Sequence, residues 1–273
     1  MRILIVGGSG YVGGAVVDNF HNDHDFINMS RTRGNEFCVN NTLLDVAKPL
    51  GFLQFDKPID MIINCMECHP DNYADNETMK REYLAGVRHL LEFAEKNGVK
   101  NFIHFSVNHI HAVENDYQQA KFVAEGLVKK SGVKYIIFKP TIIFGKNSPF
   151  DCLIESMMKK SILLKFWRED AKIAPVHILD VIANIKHALK NDKCWNETYV
   201  LRGPDVISFG HLIAGRNVIG TPMALAMRSA MGLSSKRPRH LRLVLDWVNV
   251  DDSRNRFPQL LAAETRYRIR SEQ

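Results

Sequence analysis

The 273-residue chain has no apolar run approaching the roughly 18 residues of a membrane-spanning helix, which excludes a spanning helix on hydropathy. Cysteine is sparse: five, at Cys38, Cys65, Cys68, Cys152 and Cys194. An odd, scattered set excludes a disulfide framework and fits a reducing compartment. There is no internal repeat and no low-complexity stretch. The first apolar strand begins at Arg2, so no room is expected for a signal or transit peptide in the sequence as given. What remains is an ordinary globular composition, 45% hydrophobic and 24% charged, enough for one large α/β domain or one domain with an appendage.

Charge is uneven. From Arg216 onward there are eleven Lys/Arg against five Asp/Glu, so this segment carries the whole net charge of +6. Such a tail is either a solvated basic face or a contact surface for something anionic: a partner subunit, lipid headgroups or RNA. Within it Met223, Met227 and Met231 recur every four residues on one helical face, as core packing or as a partner-binding stripe.

Apolar runs alternate with helical patterns. Strands are predicted at Arg2–Val6, Phe26–Met29, Thr42–Leu44, Ile59–Asn64, Asn101–Ser106 and Tyr135–Lys139. Helices are predicted at Tyr11–Phe20, Asn72–Asn97, Asp116–Ser131 and Ile178–Lys190. Strands separated by helices indicate right-handed βαβ units, hence an α/β fold with a doubly wound parallel sheet. A nucleotide-binding Rossmann domain is expected over 1–210 and a small basic segment over 211–273.

The start of the chain carries the clearest chemical signal. A buried strand meets Gly7-Gly8-Ser9-Gly10-Tyr11-Val12-Gly13-Gly14 and passes directly into an apolar helix. Glycines let the backbone turn tightly and approach a pyrophosphate, and the helix N-terminus offers it N–H groups and partial positive charge. Strand 2 then runs out at Ser30-Arg31-Thr32-Arg33, where an NAD-selective site usually carries Asp or Glu for the ribose 2′-hydroxyl. A hydroxyl and two guanidinium groups suit a 2′-phosphate instead, so NADPH is expected over NADH. Asp45 is a candidate acceptor for the adenine amino group, or else caps the turn before Pro49. Asn64, Cys65 and Met66, at the tip of strand 4, are expected to line the cofactor groove.

Tyr117 and Lys121 form Y-x-x-x-K at the start of a helix, which puts both on one face. An ammonium beside a phenol lowers its pKa, and the phenolate oxygen can then exchange a proton with an alcohol or carbonyl. Ser106, at the tip of strand 5, could orient the substrate oxygen. The catalytic candidates are therefore Tyr117, Lys121 and Ser106. Cys65-Met66-Glu67-Cys68-His69 spells the C-x-x-C-H haem-attachment string, but covalent haem there would collide with the nicotinamide side, and zinc lacks a second ligand pair. No metal is expected, and the scattered histidines, among them His104, His109 and His111, are given no role.

In this order the glycine motif, Ser106, Tyr117/Lys121 and Lys139–Gly145 resemble the short-chain dehydrogenase/reductase superfamily in its extended or atypical branch. The blocks FIHFS (102–106), YQQAKFVAEG (117–126), FKPTIIFG (138–145), APVHILDV (174–181) and LRGPDVISF (201–209) resemble more closely the dehydrogenase-like accessory subunits of mitochondrial respiratory complex I. So does the basic, aromatic ending at 265–272. That resemblance implies an NADPH-holding subunit with a structural or assembly role and little or no turnover of its own. It would be peripheral on the matrix side of the mitochondrial inner membrane and bound to other subunits through the basic segment, with anionic lipid a further contact and nucleic acid not expected. It also implies a cofactor site of Gly7, Ser9, Gly10, Tyr11, Val12, Gly13, Ser30, Arg31, Arg33, Asp45, Val46, Cys65, Met66, Tyr117, Lys121, Pro140, Thr141 and Ile143. The alternative is a free-standing, cytoplasmic NADP-dependent oxidoreductase or nucleotide-sugar epimerase, supported by the presence of all three catalytic candidates.

Overall fold

The computed structural model describes residues 1–51, 53–67, 75–108, 116–152, 172–208 and 260–261. Two compact units divide the chain. The first comprises Met1–Pro140, Ile178–Leu201 and Phe257–Leu261, and the second Thr141–His177, Arg202–Arg256 and Ala262–Gln273. The expected boundary at 210, the basic segment apart from 260–261, and the methionine stripe lie outside the described residues.

The first unit is built on a seven-stranded, all-parallel sheet. Its strands are β1 (Arg2–Val6), β2 (Asp25–Ser30), β3 (Asn40–Leu43), β4 (Met61–Asn64), β5 (Asn101–Phe105), β6 (Lys134–Pro140) and β10 (Glu197–Leu201). They lie in the order β10-β6-β5-β4-β1-β2-β3. The connections carry α1 (Tyr11–Phe20), α2 (Asn76–Lys96), α3 (Asp116–Lys130) and α4 (Ile178–Lys190). This is the doubly wound α/β fold the alternating pattern predicts. Its central strands are apolar on both faces because helices cover both: Ile3, Leu4, Ile5, Ile62, Ile63, Phe102 and Ile103 are all buried. Each such side chain contributes about 1.5–3 kcal/mol relative to exposure. Strand order reverses between β1 and β4, and ligands of open α/β sheets bind in the crevice beyond the strand ends at that point.

Several element ends differ from the sequence expectation, each for a tertiary reason. β2 starts one residue early because Asp25 pairs with Arg2. β3 takes in Asn40 and Asn41, poor strand formers, because they pair with Ile27 and Asn28. β4 begins at Met61 rather than Ile59, with the preceding Asp60 carboxylate accepting from the Arg2 N–H at 2.7 Å. α2 begins at Asn76, capped by Asp75, whose carboxylate accepts from Thr78 N–H at 2.6 Å and from its hydroxyl at 3.0 Å.

In the second unit β7 (Ile143–Phe144) pairs in parallel with β9 (Val176–His177). There β8 (Lys172–Ile173) pairs antiparallel with β11 (Ile207–Ser208). Thr141 donates its hydroxyl hydrogen to the Ala174 carbonyl at 2.6 Å, and Gly203 N–H reaches the same oxygen at 3.1 Å.

Candidate active site

The glycine turn sits at the end of β1. Gly7 has φ +79°, a backbone conformation that disfavours any side chain. Its N–H donates to Met29 O at 2.8 Å, and its carbonyl accepts from Gly10 N–H at 2.9 Å. Gly13, on the first turn of α1, packs against that same carbonyl group: a Cβ there would lie 2.8 Å from Gly7 C and 2.9 Å from Gly8 Cα. Gly10 occupies the N-cap without a capping side chain and is exposed. The positive end of α1, whose first-turn amides have no partner within the helix, is thereby open to an anion. A cradle that a Cβ would fill is what a pyrophosphate requires, so the residues present fit a dinucleotide.

Beyond β2 the chain folds back over this turn. Arg33 Nη2 donates to Ser9 O at 2.7 Å, and Asn35 Nδ2 donates to Gly8 O at 2.8 Å. Ser30 donates its hydroxyl hydrogen to the Arg33 carbonyl. Arg31 and Arg33 are exposed, and no carboxylate stands at the end of β2.

Across the switch point Cys65 N–H donates to Val6 O at 3.0 Å, and the Cys65 carbonyl backs Gly7. Burial pushes the Cys65 thiol up to about 12. Val46 and Met66 close on α2 at Gly86, where a Cβ would lie 2.9 Å from Val46 Cγ2 and 3.1 Å from Met66 Cε. Asp45 Oδ1 accepts from Ala47 N–H at 3.0 Å, which commits one carboxylate oxygen to a local turn. Pro140 ends β6 and accepts from Asn108 N–H at 3.1 Å. Thr141 and Ile143 belong to the second unit, and Cys68, His69, His109 and His111 lie outside the described residues.

Tyr117 and Lys121 lie one turn apart on α3, both buried. Lys121 Nζ stands 5.6 Å from the centroid of the Tyr117 ring and 4.7 Å from that of Tyr83. It pairs with Glu67 Oε1 at 3.2 Å and donates to Met66 O at 3.5 Å. Lys121 is 1% exposed and Glu67 52%, so a buried cation is paired with a carboxylate that reaches the surface. Ser106 follows β5 directly, and its buried hydroxyl has no hydrogen-bond partner among the described residues.

Two residues here carry a role that sequence reasoning did not give them. Asn64 Oδ1 accepts from Met66 N–H at 3.0 Å, while its Nδ2 donates to His104 Nδ1 at 3.1 Å. That bond places the imidazole proton on Nε2, which is buried without a partner among the described residues. Burial first, and Lys121 second, push His104 down to about 3. His104 is therefore neutral, and no imidazolium competes with the Lys121 ammonium. No sequence signal marks the pairing, since the two residues meet only through β4–β5 register.

The glycine cradle, the strand order and the Tyr117–Lys121 pair agree with a family match that spans most of the chain. Residues 3–201 match the NAD dependent epimerase/dehydratase family, and the chain belongs to it. It is 23% identical over 235 residues to the N-acetyl-α-D-glucosaminyl-diphospho-ditrans,octacis-undecaprenol 4-epimerase of Escherichia coli O157:H7, covering 78% of this chain and 70% of that one. It is 25% identical over 241 residues to the UDP-glucose 4-epimerase of Vibrio cholerae, covering 77% and 73%. Its fold is similar to that of a Bacillus cereus UDP-glucuronic acid 4-epimerase mutant solved with a fluorinated sugar nucleotide and NAD. That likeness has a TM-score of 0.64 at 16% identity and covers 78% of this chain and 81% of the other. A nicotinamide dinucleotide is accordingly the supported cofactor class.

These findings correct the expectation of a complex I accessory subunit, and with it the mitochondrial, respiratory-chain setting. Of the segments that carried it, 102–106, 117–126, 138–145 and 174–181 fall within residues 3–201, which the epimerase/dehydratase family also matches, and so they do not single out one branch. Among the described residues no helix is long and apolar enough to cross a membrane.

Proposed function

We propose that the chain is an NADP(H)-dependent epimerase or oxidoreductase acting on a secondary alcohol of a sugar carried by a diphosphate, the substrate type named for its relatives. The observation that carries the catalytic reading is the buried Tyr117–Lys121 pair with Lys121 as its cation. Support for the 2′-phosphate comes from Arg31 and Arg33 at the end of β2, with the Arg33 guanidinium already seated on the glycine turn.

The nicotinamide, when bound, supplies hydride acceptance and return at the sugar carbon. The remaining chemistry belongs to side chains of this chain. Tyr117 takes the proton from the sugar hydroxyl as that carbon is oxidised and gives one back on reduction. Lys121 favours the phenolate by its charge, offset in part by the Glu67 carboxylate with which it pairs. Ser106 donates a hydrogen bond to the reacting oxygen, which lets that oxygen bear developing charge.

The test is incubation of the purified chain, loaded with NADP(H) or NAD(H), with UDP-glucose, UDP-galactose and their N-acetylated counterparts. Epimer ratios are read by chromatography and cofactor oxidation state by absorbance. Interconversion of 4-epimers without net cofactor consumption supports the epimerase. Stoichiometric cofactor turnover identifies the oxidoreductase. Loaded protein inert towards all of them overturns the proposal.

A further inference from the structure

We propose that Asn28, Asn35 and Asn41 form a latch that holds residues 31–35 on the glycine turn and so presents Arg33 to an adenosine 2′-phosphate, making these asparagines determinants of NADP(H) preference. The inference rests on the NADP(H) reading of the end of β2.

The latch has two ends. At the upper end, two consecutive carbonyls of the glycine turn are engaged from the same loop: Gly8 O by Asn35 Nδ2 at 2.8 Å, and Ser9 O by Arg33 Nη2 at 2.7 Å. At the lower end, Asn41 on β3 grips the backbone of Asn35 as a strand neighbour would. Its Oδ1 accepts from Asn35 N–H at 2.8 Å, and its Nδ2 donates to Asn35 O at 3.1 Å. Asn28, fully buried on β2, fixes Asn41 in turn by donating to its Oδ1 at 3.0 Å. Asn28 Nδ2 has only two hydrogens for three acceptors, and Ser30 Oγ at 3.3 Å and Arg33 O at 3.4 Å are the longer ones. The Asn41 bond is therefore its main one.

Neither end is explained by the needs of the sheet. Asn41 is exposed on an edge strand, where a β-branched residue would suit the backbone better. Asn28 interrupts an otherwise apolar core strand. What the three amides produce is a fixed position for Arg33. Its guanidinium has five N–H donors, and the Ser9 bond uses one while holding the group in place. A guanidinium ordered in advance loses less conformational freedom on meeting a phosphate, so the latch acts through pre-organisation rather than through a contact of its own. The benefit reaches only a nucleotide with a 2′-phosphate.

The experiment uses the full chain and measures dissociation constants for NADPH and NADH by fluorescence titration, with adenosine 2′,5′-bisphosphate and 5′-AMP as competitors. Wild type, Arg33→Ala, Asn41→Ala and the double variant are compared. Asn41→Ala should weaken NADPH and the bisphosphate about tenfold, and NADH and 5′-AMP less than about threefold. Added to Arg33→Ala it should change NADPH binding little, since the position it fixes no longer holds a guanidinium. If Asn41→Ala proves poorly folded, Gly34→Ala serves instead, because a Cβ there lies 2.9 Å from Asn41 Cγ and displaces the amide from outside. Equal losses for NADPH and NADH, or full additivity with Arg33→Ala, would overturn the latch while leaving the NADP(H) reading intact. A wild type that binds NADH as tightly as NADPH removes that reading and the latch with it.

Discussion

His104 and Asn64 face each other as register partners across β4 and β5, and the Asn64 amide donates to the imidazole at 3.1 Å. Met66, which follows two residues after Asn64, takes the amide oxygen through its N–H and offers its carbonyl to Lys121. The pair thus links the centre of the sheet to the Lys121 ammonium.

An acid-stability prediction follows from the folded pKa of His104, which lies below its ordinary value of 6.5 at about 3. Between those values the unfolded chain binds a proton that the folded chain refuses, so stability falls as pH falls through that window. His104→Gln keeps an acceptor near Asn64 and removes the titration. Its thermal midpoint should drop less than that of wild type between pH 6.5 and pH 3. An unchanged acid limb would show that His104 is not the buried neutral group described.

Gly13→Ala should unfold the glycine turn, because its Cβ falls on the Gly7 carbonyl. Among the described residues Gly10→Ala meets only Gly7 O, at 3.1 Å, and should leave the thermal midpoint nearly intact while weakening nucleotide binding. Calorimetry with and without nucleotide separates the two, and equal destabilisation would contradict this geometry.

Lys139 on β6 and Glu125 on α3 pair at 3.1 Å while only 1% and 6% exposed. Breaking such a pair from one side leaves a buried charge and costs about 3–5 kcal/mol. Lys139→Met should lower stability to denaturant by that order. The double variant Lys139→Met/Glu125→Leu should recover most of the loss, and failure to recover would mean that the pair contributes net stability.

Tyr117→Phe should reduce turnover about 10²–10⁴-fold with cofactor affinity within a few-fold of wild type. Lys121→Met should lower both. A Tyr117→Phe enzyme with normal turnover would remove the phenol from the chemistry.

Thiol labelling provides a further check. Burial pushes Cys65 up to about 12 and Cys38 up to about 11, whereas Cys152 is exposed. At neutral pH iodoacetamide should label Cys152 in the folded protein well before Cys65 or Cys38. Mass spectrometry of the peptides reads the order.

Local chemistry was legible in the sequence and long-range pairing was not. The passage from β1 through the glycines to α1 could be read because its steric demands act over thirteen consecutive residues. Tyr117 and Lys121 could be paired because helix geometry alone brings them to one face. The seat of Arg33 on Ser9 spans 24 positions, and the Asn28–Asn41 bond spans 13, so neither leaves a periodic trace. His104 looked like any strand histidine until its neighbour across the ladder was known. The resemblance to complex I subunits misled because most of its segments lie within residues 3–201, which the epimerase/dehydratase family matches as well.

The outer neighbour of β6 in the sheet is β10, yet the chain makes an excursion through residues 141–196 before supplying it. Later still, Leu261 N–H donates to Asn184 Oδ1 on α4 at 3.0 Å, from 77 positions away. During synthesis, therefore, six of the seven strands emerge while β6 is still an open edge awaiting its mate. Such edges recruit stray strands, and closing so long a loop is slow. A message cut short between codons 201 and 261 yields a chain whose sheet is fully encoded yet which lacks the Leu261 hydrogen bond to α4. Such products should be sought among aggregates and protease fragments rather than as milder versions of the whole.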